Sequence, residues 1–268
     1  MQAEVSAARE AQIRLLPESL PQHPRLSIAA ACRPAHEVGG DFYEVFDLDD
    51  DRVAVFMAEG GGKGLASALS IAYAKGFLLP KIQGDVKTDD SPIEIVRSLQ
   101  SQLRRTLDQN IDMGFIYLVF DSADERIRYA RTGDYPRVFI KRQNKQTPLR
   151  EPGEEEMTFT VRSSSGSTVA EPFTVISGMT EIEPGDKIVI FTDGVATALA
   201  NGKQATVETL NREIASLETV SKPEVEKALH QLLDSADKSA HKLGLSDDLT
   251  AMIVGFGPIQ ATNSQKPV

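Results

Sequence analysis

The stretch from Val38 to Leu65 constrains the fold more than any other part of the chain. It reads V-G-G-D-F-Y-E-V-F-D-L-D-D-D-R-V-A-V-F-M-A-E-G-G-G-K-G-L. Two runs rich in β-branched and aromatic residues flank the acidic turn Asp49-Asp50-Asp51, so the spacing predicts a hairpin. A glycine-rich loop then opens a helix. Asp41 sits just before the first strand and Glu59 just after the second. A hairpin brings those positions together, so two carboxylates face one spot. Carboxylates beside backbone carbonyls and the Gly60-Gly61-Gly62 loop suit a hard divalent cation such as Mg²⁺ or Mn²⁺. The acidic tip itself reads as a solvated turn, because nothing fixes its geometry.

The remaining pattern is mixed. Residues 1–16 read as a helix with a thin apolar stripe of Val5, Ala8, Ala11 and Leu15, ended by Pro17. Strands are expected over Leu26–Cys32, Gly114–Phe120, Arg126–Arg131, Arg137–Lys141, Lys187–Thr192 and Leu249–Val254, with an edge strand over Met157–Val161. Between Gln143 and Pro172 the chain is otherwise polar and irregular. Helices are expected from Lys63 or Gly64 to about Leu79, with Leu65, Leu69, Ala72 and Leu79 on one face, and from Ser91 along Ile93, Val96, Leu99, Leu103 and Leu107. Two more follow Asp193-Gly194: one marked by Val207, Leu210, Ile214 and Leu217, one opening at Ser221 with Val225, Leu229, Leu232 and Ala236. Strands, two helices, a run of strands, two helices and a strand favour an antiparallel core with helices outside it.

Composition narrows the function. The net charge of −10 is opposite in sign to a nucleic-acid footprint. Cys32 is the only cysteine, so no intramolecular disulfide forms and a reducing, cytoplasmic setting is expected. Arg33 follows Cys32 at once, without the phosphate-cradling loop of a cysteine-dependent phosphatase, which makes Cys32 an inert buried thiol. No apolar run approaches the roughly 18 residues of a membrane span, and residues 1–10 carry no secretory signal. The glycine loop lacks Walker A spacing.

Asp41, Glu59, Asp193, Asp247 and Asp248 all lie at strand ends beside Gly or turn residues. Gly39-Gly40-Asp41-Phe42-Tyr43, Gly61-Gly62-Lys63-Gly64, Phe191-Thr192-Asp193-Gly194-Val195 and Asp247-Asp248-Leu249-Thr250 resemble, in order, the motifs of the PPM-type (2C-class) serine/threonine phosphatases. The nearest branch is the bacterial SpoIIE-like, RsbU-like one, and the resemblance covers about Leu15 to Phe256. It implies an α+β fold, a four-layer αββα sandwich of two mainly antiparallel sheets flanked by helices. It divides the chain into a linker helix (1–17), a phosphatase domain (18–257) and a disordered tail (258–268). It implies two Mn²⁺ or Mg²⁺ ions and hydrolysis of phosphoserine or phosphothreonine by an activated water. The ions would be held by Asp41, Glu59 with the Gly60 carbonyl, Asp193, Asp247 and the neighbouring Asp248. Gly61, Gly62 and Lys63 would meet substrate. The implied partners are a phosphorylated STAS-type anti-sigma antagonist in a partner-switching pathway of sigma-factor regulation and an upstream sensor. The N-terminal helix is the implied surface for pairing two copies.

Three departures stand against that pattern. The bridging acid is normally Asp, and Glu59 is longer by one C–C bond, roughly 1.5 Å. The loop serine of the family is Gly61. Thr132-Gly133-Asp134-Tyr135-Pro136 stands where the branch has A-G-H-x-P. The alternative reading is therefore a pseudophosphatase, with one ion or none, that binds a protein without cleaving it. A similarity of Gly39-Gly40-Asp41-Phe42 to the GGDEF signature of diguanylate cyclases is superficial, since Phe42 and Tyr43 replace the two acids it needs.

Overall fold

The computed structural model of the protein describes residues 2–60, 64–83, 91–106, 113–142, 154–159, 172–200 and 220–258. In chain order the elements are α1 (Gln2–Ile13), β1 (Leu26–Arg33), β2 (Asp41–Asp47), β3 (Arg52–Glu59), α2 (Leu65–Gln83), α3 (Pro92–Thr106), β4 (Gly114–Asp121) and β5 (Arg126–Thr132). There follow β6 (Arg137–Lys141), β7 (Glu154–Phe159), β8 (Phe173–Glu181), β9 (Lys187–Phe191), α4 (Asp193–Leu199), α5 (Lys222–Leu243) and β10 (Leu249–Phe256). One sheet has the order β1-β10-β9-β6 and the other β2-β3-β4-β5-β8-β7. Each neighbouring pair is antiparallel. With helices on both outer faces, this is the expected four-layer αββα sandwich.

The central strands are continuous apolar runs because both of their faces are covered. On β3, Val53, Val55 and Met57 join the core between the sheets, while Ala54, Phe56 and Ala58 face the helical layer with α3 residues Val96, Leu99 and Leu103. On β4, Ile116, Leu118 and Phe120 point inward and Phe115, Tyr117 and Val119 outward, the period of two expected of a strand. On the opposite outer face, β9 and β10 pack Val189, Phe191, Ala251 and Ile253 against the α5 stripe Val225, Leu229, Leu232, Leu233 and Ala236. Gly244 in the left-handed conformation (φ 66°) ends α5.

Several sequence expectations are corrected here. Helix α2 runs through Pro80 to Gln83 instead of stopping near Leu79. A proline inside a helix crowds the carbonyl of the residue four earlier, which here is Gly76, a position without a side chain. The buried face of α2 is Ser67, Ile71, Ala74 and Leu78, whereas Leu65 and Leu69 are 50% and 69% exposed. Strand β8 was not recognised, although Phe173 and Val175 alternate toward the helical layer along it. The edge strand β7 begins three residues earlier than expected and ends at Phe159. Helix α4 also went unrecognised. It starts on Asp193 itself, with Thr192 as its N-cap. The helix expected over residues 207–217 lies outside the described residues, as does the tail expected over 258–268 apart from Pro258.

Candidate metal centre

Both sheets deliver acids to the same end of the sandwich. Asp41 opens β2 and Glu59 closes β3, and the two are direct partners in the ladder. Gly60 N–H donates to the Gly40 carbonyl (2.7 Å), which prolongs the pairing by one step. Asp193 enters from the other sheet at the start of α4, and Asp247 and Asp248 precede β10.

Hydrogen bonds tie the two sides together at this end. The Thr192 hydroxyl donates to Asp41 Oδ2 (2.7 Å), and Asp193 N–H donates to Glu59 Oε2 (2.9 Å). The extra methylene of Glu59 therefore carries its carboxylate across to the first turn of α4. Asp248 has a different occupation. Its Oδ1 accepts Ala35 N–H (2.7 Å) and its Oδ2 accepts Gly40 N–H, so it laces the segment before β2 onto the start of β10. Asp247 is exposed, and its Oδ1 accepts Asp248 N–H (3.0 Å).

Close backbone approach sets the geometry. A Cβ on Gly194 would lie 2.1 Å from the Asp248 carbonyl oxygen, and one on Gly60 would lie 1.8 Å from Ser67 Oγ. Ser67, in the first turn of α2, is 2% exposed, and its hydroxyl has no hydrogen-bond partner among the described residues.

The electrostatics are those of a cation site. Burial holds the Asp41 carboxyl well above the usual range, opposed by the Thr192 hydroxyl and reinforced by the charges of Asp248 and Glu59. Burial, followed by the Asp193 charge, pushes Glu59 up to about 8. Asp193 is raised by burial and by Asp247. Among the described residues, no lysine or arginine figures among these influences. Among the described residues, no group of three or more His, Cys, Asp or Glu side chains is arranged to hold an ion as it stands. The acids instead engage hydroxyls and amides. Their all-oxygen chemistry and mutual repulsion fit a hard divalent cation.

The structure thus brings Asp41, Glu59 and Asp193 together, with Asp247 close enough to act on Glu59 and Asp193. Asp248 lies behind them on the backbone amides. Gly61, Gly62 and Lys63 lie outside the described residues. Sequence reasoning missed the roles of Thr192 and Ser67. A small polar residue on the buried face of α2 was the available signal for Ser67. Cys32 is half-buried, with its thiol pushed well up by burial, in keeping with an inert role.

Residues 49–257 match the family described as Stage II sporulation protein E (SpoIIE). The chain belongs to the SpoIIE family. Phosphoserine phosphatase RsbU of Bacillus subtilis is 24% identical over 199 residues, covering 73% of this chain and 54% of RsbU. Protein IcfG of Synechocystis sp. is 26% identical over 242 residues, covering 80% of this chain and 36% of IcfG. The chain therefore spans between about a third and about half of these relatives. The SiaA PP2C domain of Pseudomonas aeruginosa superimposes with a TM-score of 0.69 at 16% identity, covering 95% of this SpoIIE-family chain and 96% of that domain. The catalytic domain of the serine/threonine phosphatase PstP, a complex with two manganese ions, gives a TM-score of 0.55 at 15% identity over 87% of this chain and 99% of its own. Those likenesses establish the PP2C fold.

Proposed function

We propose that this SpoIIE-family domain is a metal-dependent protein serine/threonine phosphatase acting in the cytoplasm. The observation that carries the reading is the meeting of Asp41 and Glu59 from one sheet with Asp193 from the other. Family membership supports it, as does the naming of RsbU and RsbP as phosphoserine phosphatases. Among the described residues no helix is long and apolar enough to cross a membrane. The substrate proposed is a phosphorylated STAS-type antagonist within a partner-switching pathway. A sensor acts upstream, and α1 is the element through which copies pair.

Asp41, Glu59, the Gly60 carbonyl, Asp193 and Asp247 would hold Mn²⁺ or Mg²⁺. When bound, a pair of such ions would lower the pKa of a water and neutralise the phosphoryl oxygens. The chain's own residues prepare that site. Thr192 fixes the rotamer of Asp41, and the Asp193 amide fixes that of Glu59. Asp248 serves as a positioning residue, because its two oxygens hold the backbone that leads into Asp41.

The test is phosphate release from p-nitrophenyl phosphate and a phosphoserine peptide with Mn²⁺, for the natural chain, Glu59→Asp and Asp193→Asn. Release that stops on chelation and is lost in Asp193→Asn is expected. A folded natural chain that binds Mn²⁺ yet releases no phosphate overturns the reading. If Glu59→Asp then restores release, the domain is a pseudophosphatase disabled at the bridging acid.

A further inference from the structure

We infer that Gln12 of α1 is a positioning residue of the metal centre, holding the backbone that enters β2 in ligating register; the inference rests on the metal-dependent reading above. Gln12 lies in the last turn of α1. Its carboxamide oxygen accepts Gly39 N–H (2.9 Å), and its amide nitrogen donates to the Gly39 carbonyl (2.5 Å). One side chain thus meets both backbone groups of one residue, as a paired strand would.

Gly39 is pressed from another side as well. A Cβ there would lie 2.8 Å from Asp248 Oδ2 and 3.3 Å from Pro34 Cβ, so the residue has little room to shift. Its successor, Gly40, donates to Asp248 and accepts from Gly60 N–H (2.7 Å). Asp41 comes next. A displacement of Gly39 is therefore transmitted directly to the bonds that place Gly60, Asp248 and Asp41. The pattern of α1 agrees. Among its described side chains Val5, Ala8 and Gln12 are half-buried, whereas Ala11, read as part of the apolar stripe, is exposed. A polar residue takes an inward position of α1, and its target there is the backbone of Gly39.

A carboxamide carries, on separate atoms, both the donor and the acceptor that Gly39 requires. Gln12→Glu keeps the size but sets a second acceptor against the Gly39 carbonyl. Gln12→Ala removes both bonds, and α1 is not weakened, because alanine is the better helix former. The experiment uses the full chain and measures Mn²⁺ binding by electron paramagnetic resonance, with thermal melts in chelator and phosphate release against Mn²⁺ concentration beside it.

Both variants are expected to weaken Mn²⁺ binding by about tenfold, the usual size of an outer-shell loss. The Mn²⁺ requirement for phosphate release shifts in parallel, with turnover at saturating Mn²⁺ changed by less than about threefold. Mn²⁺ affinity within about twofold of the natural chain in both variants overturns the proposal, and a fall in Tm alone then shows Gln12 to be a fastener for α1. If the natural chain binds Mn²⁺ without releasing phosphate, the phosphatase reading falls while the Gln12 comparison is still decided by binding. If the natural chain binds no Mn²⁺, the proposal falls with the metal centre.

Discussion

Raising the pH should destabilise the metal-free protein, and Glu59 sets the scale of the effect. Burial and the Asp193 charge move its carboxyl from 4.5 to about 8 in the folded chain. The unfolded chain keeps the ordinary value. Between the two values the folded state holds a proton that the unfolded state lacks, so stability falls as pH rises. The contribution is complete below the unfolded pKa and is lost as pH passes through the folded one. From about pH 6 to about pH 8 the loss is RT ln[(1 + 10²)/(1 + 1)], or about 2.3 kcal/mol. For a domain of this size that is about 5–9 °C in Tm. Asp41 and Asp193 are raised as well and act in the same direction. The perturbation is Glu59→Gln, which keeps the shape and removes the titration. Thermal melts in chelator across the two pH values should show the natural chain losing that much and Glu59→Gln losing clearly less. Mn²⁺ should reverse the trend, because a cation needs the deprotonated acids and its stabilisation grows with pH. A natural chain whose Tm is flat or rises with pH in chelator refutes the reasoning. So does a Glu59→Gln variant that falls as steeply as the natural chain.

Two further outcomes follow from packing. Lys75 Nζ lies 2.7 Å from Glu44, with side chains only 15% and 9% exposed, and it also donates to the Leu15 carbonyl. Lys75→Met should cost about 3–5 kcal/mol in urea unfolding by stranding the Glu44 charge, and adding Glu44→Gln should recover much of it. Gly194→Ala would place a methyl 2.1 Å from the Asp248 carbonyl, so the entry to β10 must move. That should cost about 1–3 kcal/mol in the same assay and weaken Mn²⁺ binding. Unchanged Mn²⁺ affinity would detach Gly194 from the site.

Much of the fold is legible in the chain wherever one signal dominates. Strands β3, β4 and β9 are covered on both faces and announce themselves as unbroken apolar runs. Helix α5 carries its stripe between a serine start and a glycine stop. The acids stand out because each lies at one end of a strand beside glycine or another acid. The misses have physical causes. Strand β8 carries Ser177-Gly178 in mid-run, and its outward residues are polar or half-buried, which dilutes the apolar pattern. Helix α4 is two turns long, too short for periodicity to declare it, and Asp193-Gly194 reads locally as a turn. The face of α2 does not follow hydrophobicity, because Leu65 and Leu69 are among its exposed positions. What α2 presents at its first turn is Ser67, set against the glycine backbone of the hairpin end.

That last miss bears on how the centre is built. An acid at a strand end is a common turn former, so residue type and position alone do not make Asp41, Glu59 and Asp193 a cluster. Their convergence depends on backbones that approach without side chains between them. Gly60 lets α2 seat Ser67 against the end of β3, and Gly194 lets α4 begin directly beneath the Asp248 carbonyl. Each glycine follows a ligand candidate at once in the chain. The pairs Glu59-Gly60 and Asp193-Gly194 are therefore each one device: the acid supplies charge, and its neighbour supplies the space in which charges from two sheets can meet. A substituted acid such as Glu59 can be absorbed by a longer reach to the Asp193 amide. A side chain on either glycine has nowhere to go, so the chain should tolerate exchange between the two acid types at position 59 better than it tolerates alanine at position 60 or 194.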